Sequence, residues 1–221
     1  LHSNVYTHKT TQAATFMITD ILASADPYFR IPTSIEGSVG KFKVEGLPIS
    51  RAMLHPVSYL MLKDSVIDQI MMTTTPELSP ARKIIRRLWN RDLYKLAVIR
   101  RIQLEDKTDA KIWQREAEEI KQELLQVRGH HTLNGQDIHL EEDDLIVEKH
   151  KIHHGSKQLN PLLFMRFLPK RELGNLRNPV DTLPKAAQVN ENKFEGHIPR
   201  VFQEQNIRVF CRSPEKIEVL R

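Results

Sequence analysis

The sequence predicts an α+β fold. Apolar residues recur at helical spacing through much of 1–90, while the runs 94–104, 144–152 and 206–212 are short, apolar and rich in β-branched residues. Helices come first and a mixed lobe with a small sheet follows, with no internal repeat or low-complexity tract.

The bulk numbers set the bounds. A chain of 221 residues is long enough for one large domain or two small ones with a substantial core. Hydrophobic residues make up 40% and charged residues 28%, the balance of a soluble globular protein. No apolar run approaches the roughly 20 residues of a membrane span, so no membrane partner is expected. The single cysteine, Cys211, excludes an intramolecular disulfide, suits a reducing compartment and reads as a buried structural thiol. Net charge is +5 and the pI about 9.3, a balance that favours phosphate-bearing partners where the charge clusters.

Each element has its own signal. A first helix is expected from Leu1, with an apolar stripe at Ala14, Ile18, Ile21, Leu22 and Ala25. It should end near Asp26-Pro27, because proline disfavours helix in the residue before it. Glycines and prolines make 30–56 loop-like, with a short strand at 41–44. A helix is expected over 59–72, burying Val66, Ile67, Ile70 and Met71. Another should open at Ser79-Pro80, serine as N-cap, and run to about Trp89 with Ile84, Ile85 and Leu88 inward. Its outer surface stacks Arg82 on Arg86 and Lys83 on Arg87. The residues 109–127 read as one continuous helix with a seam at Trp113, Ala117, Ile120, Leu124 and Val127, for core packing rather than a coiled coil. The chain turns at 129–135. Strands are expected at 144–152, 162–168 and 206–212, a polar proline-bearing stretch at 170–196 and a short helix at 198–205. In the last strand Ile207, Val209 and Cys211 share a face.

Several chemistries are excluded or weak. No phosphate-cradling glycine loop and no GxSxG elbow is present. Of ten histidines, His130-His131 and His153-His154 are adjacent pairs, which point apart and lack the spacing of a zinc site; they read as surface histidines. The acidic run 141–144 reads as a solvated turn. Two places hold more. His2 and Tyr6 stack on a helix, with His8 about 160° from Tyr6, so one helix can serve two polar sites. Spacing alone equally fits a solvated helix end. Arg91, Leu93 and Lys95 alternate, and on an extended segment share one face. Two cations flanking an apolar residue suit a polyphosphate and a base or ribose, and equally suit a sheet edge protected by charge.

A resemblance adds to this. Leu1-His2, Tyr6, His8-Lys9, MITD at 17–20, Ala25-Asp26 and Tyr28 resemble one stretch of the SAM-and-HD-domain deoxynucleoside triphosphate triphosphohydrolases. ARKIIRRLWNRDLYK at 81–95, DDLIV at 143–147, Asn160-Pro161 and IRVFC at 207–211 continue it in order, so it covers nearly the whole chain. It implies the C-terminal portion of such an enzyme: residues 1–90 the end of a helical HD-type domain, and 91–221 a regulatory and oligomerisation lobe. The family cleaves a dNTP into a deoxynucleoside and triphosphate with a divalent metal. It works as a homo-tetramer inside the cell, in nucleus or cytoplasm, activated by GTP or dGTP at one allosteric site and a dNTP at a second. By position, His2 and Tyr6 would line the substrate pocket. His8 and Lys9 would contact nucleotide in the second allosteric site, and Arg91, Leu93 and Lys95 the guanine nucleotide in the first.

The chain departs from the family pattern in three places. Asn4 and Leu159 stand where the family has basic residues that help bind allosteric phosphates, with Lys157 nearby as a substitute for the second. The family's metal centre includes a His-Asp pair, and no His-Asp dipeptide occurs in the chain. A metal cannot be held without its ligands, so the chain alone is expected to be inactive. The resulting expectation is the regulatory and assembly half of a dNTP triphosphohydrolase. The alternative is a non-enzymatic module for single-stranded nucleic acid or a protein partner, motivated by the basic stretches 82–101 and 170–200. An aromatic fraction of 6% leaves that module few stacking platforms.

Overall fold

The computed structural model describes residues 5–33, 46–103, 105–128, 130–133, 136–153, 155–167 and 202–220. The architecture is α+β. Helices α1 (Lys9–Ala25), α2 (Ile49–Ala52), α3 (Pro56–Met61), α4 (Val66–Met72) and α5 (Ser79–Trp89) come first. Strand β1 (Lys95–Arg101), α6 (Lys107–Gln114) and α7 (Ala117–Arg128) follow, then β2 (His130–Leu133), β3 (Gln136–His139), β4 (Leu145–His153) and β5 (Gln203–Cys211). One sheet has the order β1-β5-β4, and β2 pairs antiparallel with β3. The chain divides into two units: Leu1–Val98 with Ile120–Val147 and Val209–Arg221, and Ile99–Glu119 with Glu148–Arg208.

In the first unit α1 starts at Lys9, not at Leu1. His8 is its N-cap, with the ring Nδ1 accepting from Thr10 N at 3.3 Å. The expected end holds: Asp26 is the C-cap, and its carboxylate accepts Ser50 N at 2.7 Å and Ser50 Oγ at 2.9 Å at the start of α2. The buried stripe is Ala13, Met17, Ile21 and Ala25: the expected Ile21 and Ala25 are in it, Ala14 and Leu22 are half-buried, and Ile18 is exposed, with Ala13 and Met17 buried in the first half instead. That i, i+4 row packs on α5, where Ala81 and Ile85 are buried. Ser79 is the first helical residue rather than the cap, because a 3₁₀ turn, Pro76–Leu78, precedes it. Arg82 folds back to donate to the carbonyls of Thr73 and Thr75.

The helix expected over 59–72 is two, α3 and α4. Leu62 is extended, and the chain turns before Val66 restarts the helical pattern with Ile70 buried. A second core joins Leu140, Leu145, Val209, Cys211, Val219 and Leu220, with Leu124 of α7 against it. The acidic run is a 3₁₀ turn, Glu142–Asp144, exposed at Glu141, Glu142 and Asp143 as expected of a solvated turn, and departing from that only at Asp144. Asp144 is buried and paired with Lys216 of the closing 3₁₀ helix (Pro214–Leu220) at 2.7 Å. The turn expected at 129–135 contains β2 and leads into β3; the side chains of 128–136 are not described.

In the second unit, α6 is capped by Asp106, whose carboxylate accepts Thr108 N at 2.7 Å. Asp109 takes the guanidinium of Arg100 at 2.8 and 3.1 Å and the amide of Gln103 at 3.0 Å. The Lys149 ammonium lies 5.1 Å from the Trp113 ring centroid. The single helix expected over 109–127 is broken after Gln114, where Arg115 turns extended. The strand expected over 162–168 begins as a 3₁₀ turn, Pro161–Phe164, and the helix expected over 198–205 gives way to β5 at Gln203. The expectations for 41–44 and 170–196 lie outside the described residues.

Candidate functional site

A cavity of about 370 Å³ opens in the first unit. Its first wall is the start of α1, with Lys9, Thr10 and Ala13. Its second is the passage from α5 into β1, with Arg91, Leu93, Tyr94, Lys95 and Leu96. Ile217 of the closing 3₁₀ helix completes it. Three cationic side chains and no carboxylate stand among these residues. Such a set favours an anion, and the aliphatic Leu93, Leu96 and Ile217 offer apolar cover beside it.

Arg91 reaches this position by an unusual backbone. Its φ is 56°, in the left-handed region that costs a non-glycine residue of order 1–3 kcal/mol. The surroundings enforce the turn. Asn90 N donates to Arg86 O at 3.0 Å, Arg91 N to Leu88 O at 3.1 Å and Asp92 N to Arg87 O at 2.9 Å. The Arg87 guanidinium then pairs with Asp92 at 2.8 Å. The alternation expected for Arg91, Leu93 and Lys95 therefore does not arise from an extended strand, since β1 begins only at Lys95. The three residues nonetheless line one cavity.

Behind the cavity wall lies a polar cluster. The Tyr94 hydroxyl donates to Asp20 Oδ2 at 2.8 Å. Arg212 grips the same carboxylate through Nε at 2.6 Å and Nη2 at 3.0 Å. The Tyr94 ring lies 5.4 Å from the Arg87 guanidinium and 5.9 Å from that of Arg212. Burial, then the hydrogen bond to Asp20, push the Tyr94 hydroxyl well above its ordinary value, so it stays protonated and donates. The hydrogen bond to Asp20 holds the Arg212 guanidinium more firmly charged, against the opposing effect of burial.

The site residues expected from sequence divide into groups. Arg91, Leu93 and Lys95, expected at one nucleotide site, line one cavity, and Lys9, expected with His8 at a second site, lines that same cavity. Tyr6 precedes α1 and is exposed, and His8 is occupied as the N-cap; neither lines the cavity. The 160° separation expected on one continuous α-helix does not apply, since Tyr6 stands in a short π-helical turn and His8 is the N-cap, both ahead of α1. His2 and Asn4 lie outside the described residues, and Leu159 is exposed in the second unit. The sequence reading missed Thr10, Tyr94 and Ile217, and behind them Asp20 and Arg212. A signal existed for Asp20 in the MITD stretch and for Tyr94 in its place between Leu93 and Lys95. Ile217 carried none, since its position depends on the closing turn. Among the described residues no three of His, Cys, Asp and Glu gather as a metal site. No helix among them is long and apolar enough to cross a membrane.

No family model matches the chain. It is, however, similar along nearly its whole length to deoxynucleoside triphosphate triphosphohydrolases, at about 28% identity. The deoxynucleoside triphosphate triphosphohydrolase SAMHD1 homolog of Dictyostelium discoideum is 28% identical over 218 residues, 99% of this chain and 34% of the relative. Deoxynucleoside triphosphate triphosphohydrolase SAMHD1 of Mus musculus is 28% identical over 215 residues, 97% of this chain and 29% of the relative. That of Homo sapiens is 27% identical over 217 residues, 98% and 30%. The chain is thus SAMHD1-like nearly throughout, and it spans about a third of the length of the curated relatives it matches.

Proposed function

We propose that the chain is the regulatory and assembly portion of a dNTP triphosphohydrolase that acts inside the cell. Residues 1–90 complete a catalytic helical domain and 91–221 form the effector-binding and oligomerisation lobe. The observation that carries this reading is the cavity where Lys9, Arg91 and Lys95 converge without a carboxylate. It suits the triphosphate of a GTP or dGTP effector. Arginine supplies a bidentate fork to phosphate oxygens and the lysines supply point charges. Leu93 and Ile217 cover the sugar or base. A triphosphate held among these cations offsets the repulsion between cationic subunit surfaces, so effector binding favours a homo-tetramer by mass action. His2 and Tyr6 contribute to the substrate wall, and His8 stands beside the second effector. Metal and hydrolytic chemistry belong to a part with the missing His-Asp ligands, and this chain alone releases no triphosphate.

The test is reconstitution. Combined with an HD-type catalytic half, the chain should support dNTP-dependent release of triphosphate that rises with GTP or dGTP. Arg91→Ala should raise the guanine nucleotide needed for half activation by about tenfold or more, the loss of a charge-assisted pair. Activation unchanged in that variant would remove Arg91 from the effector site.

A further inference from the structure

Asp20 lies outside the cavity, yet it is bonded to the elements that form each wall. It sits on α1, the helix that begins with Lys9. It accepts from Tyr94, which stands within the cation-bearing segment. It receives the two-pronged grip of Arg212, which leads directly into the 3₁₀ helix that carries Ile217. Two further bonds close the frame. Arg87 Nη2 donates to the Arg212 carbonyl at 2.9 Å while its Nε holds Asp92 beside Arg91, and Arg212 Nη1 donates to Asp143 O at 2.8 Å. The Tyr94 ring is 4% exposed and packs with Ala13, Met17 and Phe210, so the hydroxyl has one fixed direction.

We propose that Asp20, through Tyr94 and Arg212, is the positioning residue of the anion cavity, holding α1, the Arg91–Lys95 cations and the closing 3₁₀ helix in one binding-ready arrangement. The inference rests on the reading of the cavity as a nucleotide-phosphate site, and it adds a residue that touches no ligand. The physical argument is preorganisation. Exposed arginine and lysine side chains lose rotamer freedom on gripping phosphate, and a backbone already fixed reduces that cost. A left-handed Arg91 persists only where its neighbours over-determine it, and the Arg87–Asp92 pair and Tyr94 anchor both ends of that turn. Coupling of this kind is reciprocal, so a bound triphosphate should in turn tighten the frame.

The test uses the full 221-residue chain with dGTP and inorganic tripolyphosphate as probes. Tyr94→Phe removes one hydroxyl and keeps the packed ring; Asp20→Asn is the stronger variant. Both should weaken dGTP binding about two- to thirtyfold, the range of coupling through a shared network. In a chain already carrying Arg91→Ala and Lys95→Ala, Tyr94→Phe should cost less than about twofold more, since a positioning residue has nothing left to position. Amide exchange should quicken over 86–96 and 208–213 in both variants and stay unchanged over α4. Wild-type affinity in Tyr94→Phe, or an equal loss in the Arg91/Lys95 double variant, overturns the positioning role while leaving the cavity reading intact. If the unaltered chain binds neither probe, the cavity reading falls. The frame is then judged by exchange alone: local quickening upholds it and unchanged exchange ends it.

Discussion

Asp144 and Glu148 are close in sequence, yet their carboxyls are driven in opposite directions. Burial pushes the Glu148 carboxyl above its ordinary value, with Arg208 opposing. Burial would do the same to Asp144, but the Lys216 ammonium at 2.7 Å, the Glu141 amide at 2.8 Å and the Ser213 hydroxyl at 2.8 Å outweigh it and hold it below its ordinary value. A depressed carboxyl contributes stability above its unfolded value and loses it as pH falls through the folded one. Urea unfolding at stepped pH should therefore show an acid limb below about pH 4 that flattens in Asp144→Asn, with a lower plateau at neutral pH. An acid limb of unchanged steepness in the variant would assign it to other groups. Residue-level roles were the hardest to read. A run of four acids signals a solvated turn, and nothing local marks Asp144 as the one that a lysine 72 positions away returns to.

At the scale of elements, the packing of α1 on α5 dominates the helical part. Ile21, Ala25, Ala81 and Ile85 meet there fully buried. Ile85→Ala should cost about 2–5 kcal/mol in denaturant unfolding, because removing the branched chain leaves a cavity between two helices that cannot collapse onto it. A loss under about 1 kcal/mol would mean the helices close the gap. The existence of α1, α5, β4 and β5 was legible, since each has a long periodic pattern or a β-branched run. The breaks within 59–72 and 109–127 were not. Neither has a proline at its break, and the apolar spacing continues across each, so tertiary packing decided where the helix stopped. The departure in the first half of the α1 stripe has the same origin: Ile18 satisfies the period as well as Met17, and only the position of α5 chooses between them.

For the whole molecule, the cationic cavity sets how the chain should respond to its solvent. Exposed lysine and arginine contacts to phosphate are screened over about 10 Å at 0.1 M salt. Binding of dGTP followed by calorimetry should weaken as sodium chloride rises, and deoxyguanosine without phosphates should not compete. Equal competition by the nucleoside would place recognition on the base instead. A steep salt slope for single-stranded oligonucleotides with no effect of mononucleotides would favour the nucleic-acid module. Two of the cavity's cations, Arg91 and Lys95, were legible in sequence as a pair flanking Leu93, whereas Lys9 was expected at a second site. Their convergence was not, because it needs α1 and the α5–β1 turn to meet 82 to 86 positions apart in the chain, the separations of Arg91 and Lys95 from Lys9.

Cys211 turns this arrangement into its own reporter. The chain has one sulfhydryl, fully buried, with its sulfur 3.1 Å from the Ser213 carbonyl and its ionisation suppressed chiefly by burial. A disulfide-exchange dye can colour the solution only when the last strand peels away beside Arg212. The rate of colour development therefore clocks that opening without an engineered label, and dGTP should slow the clock.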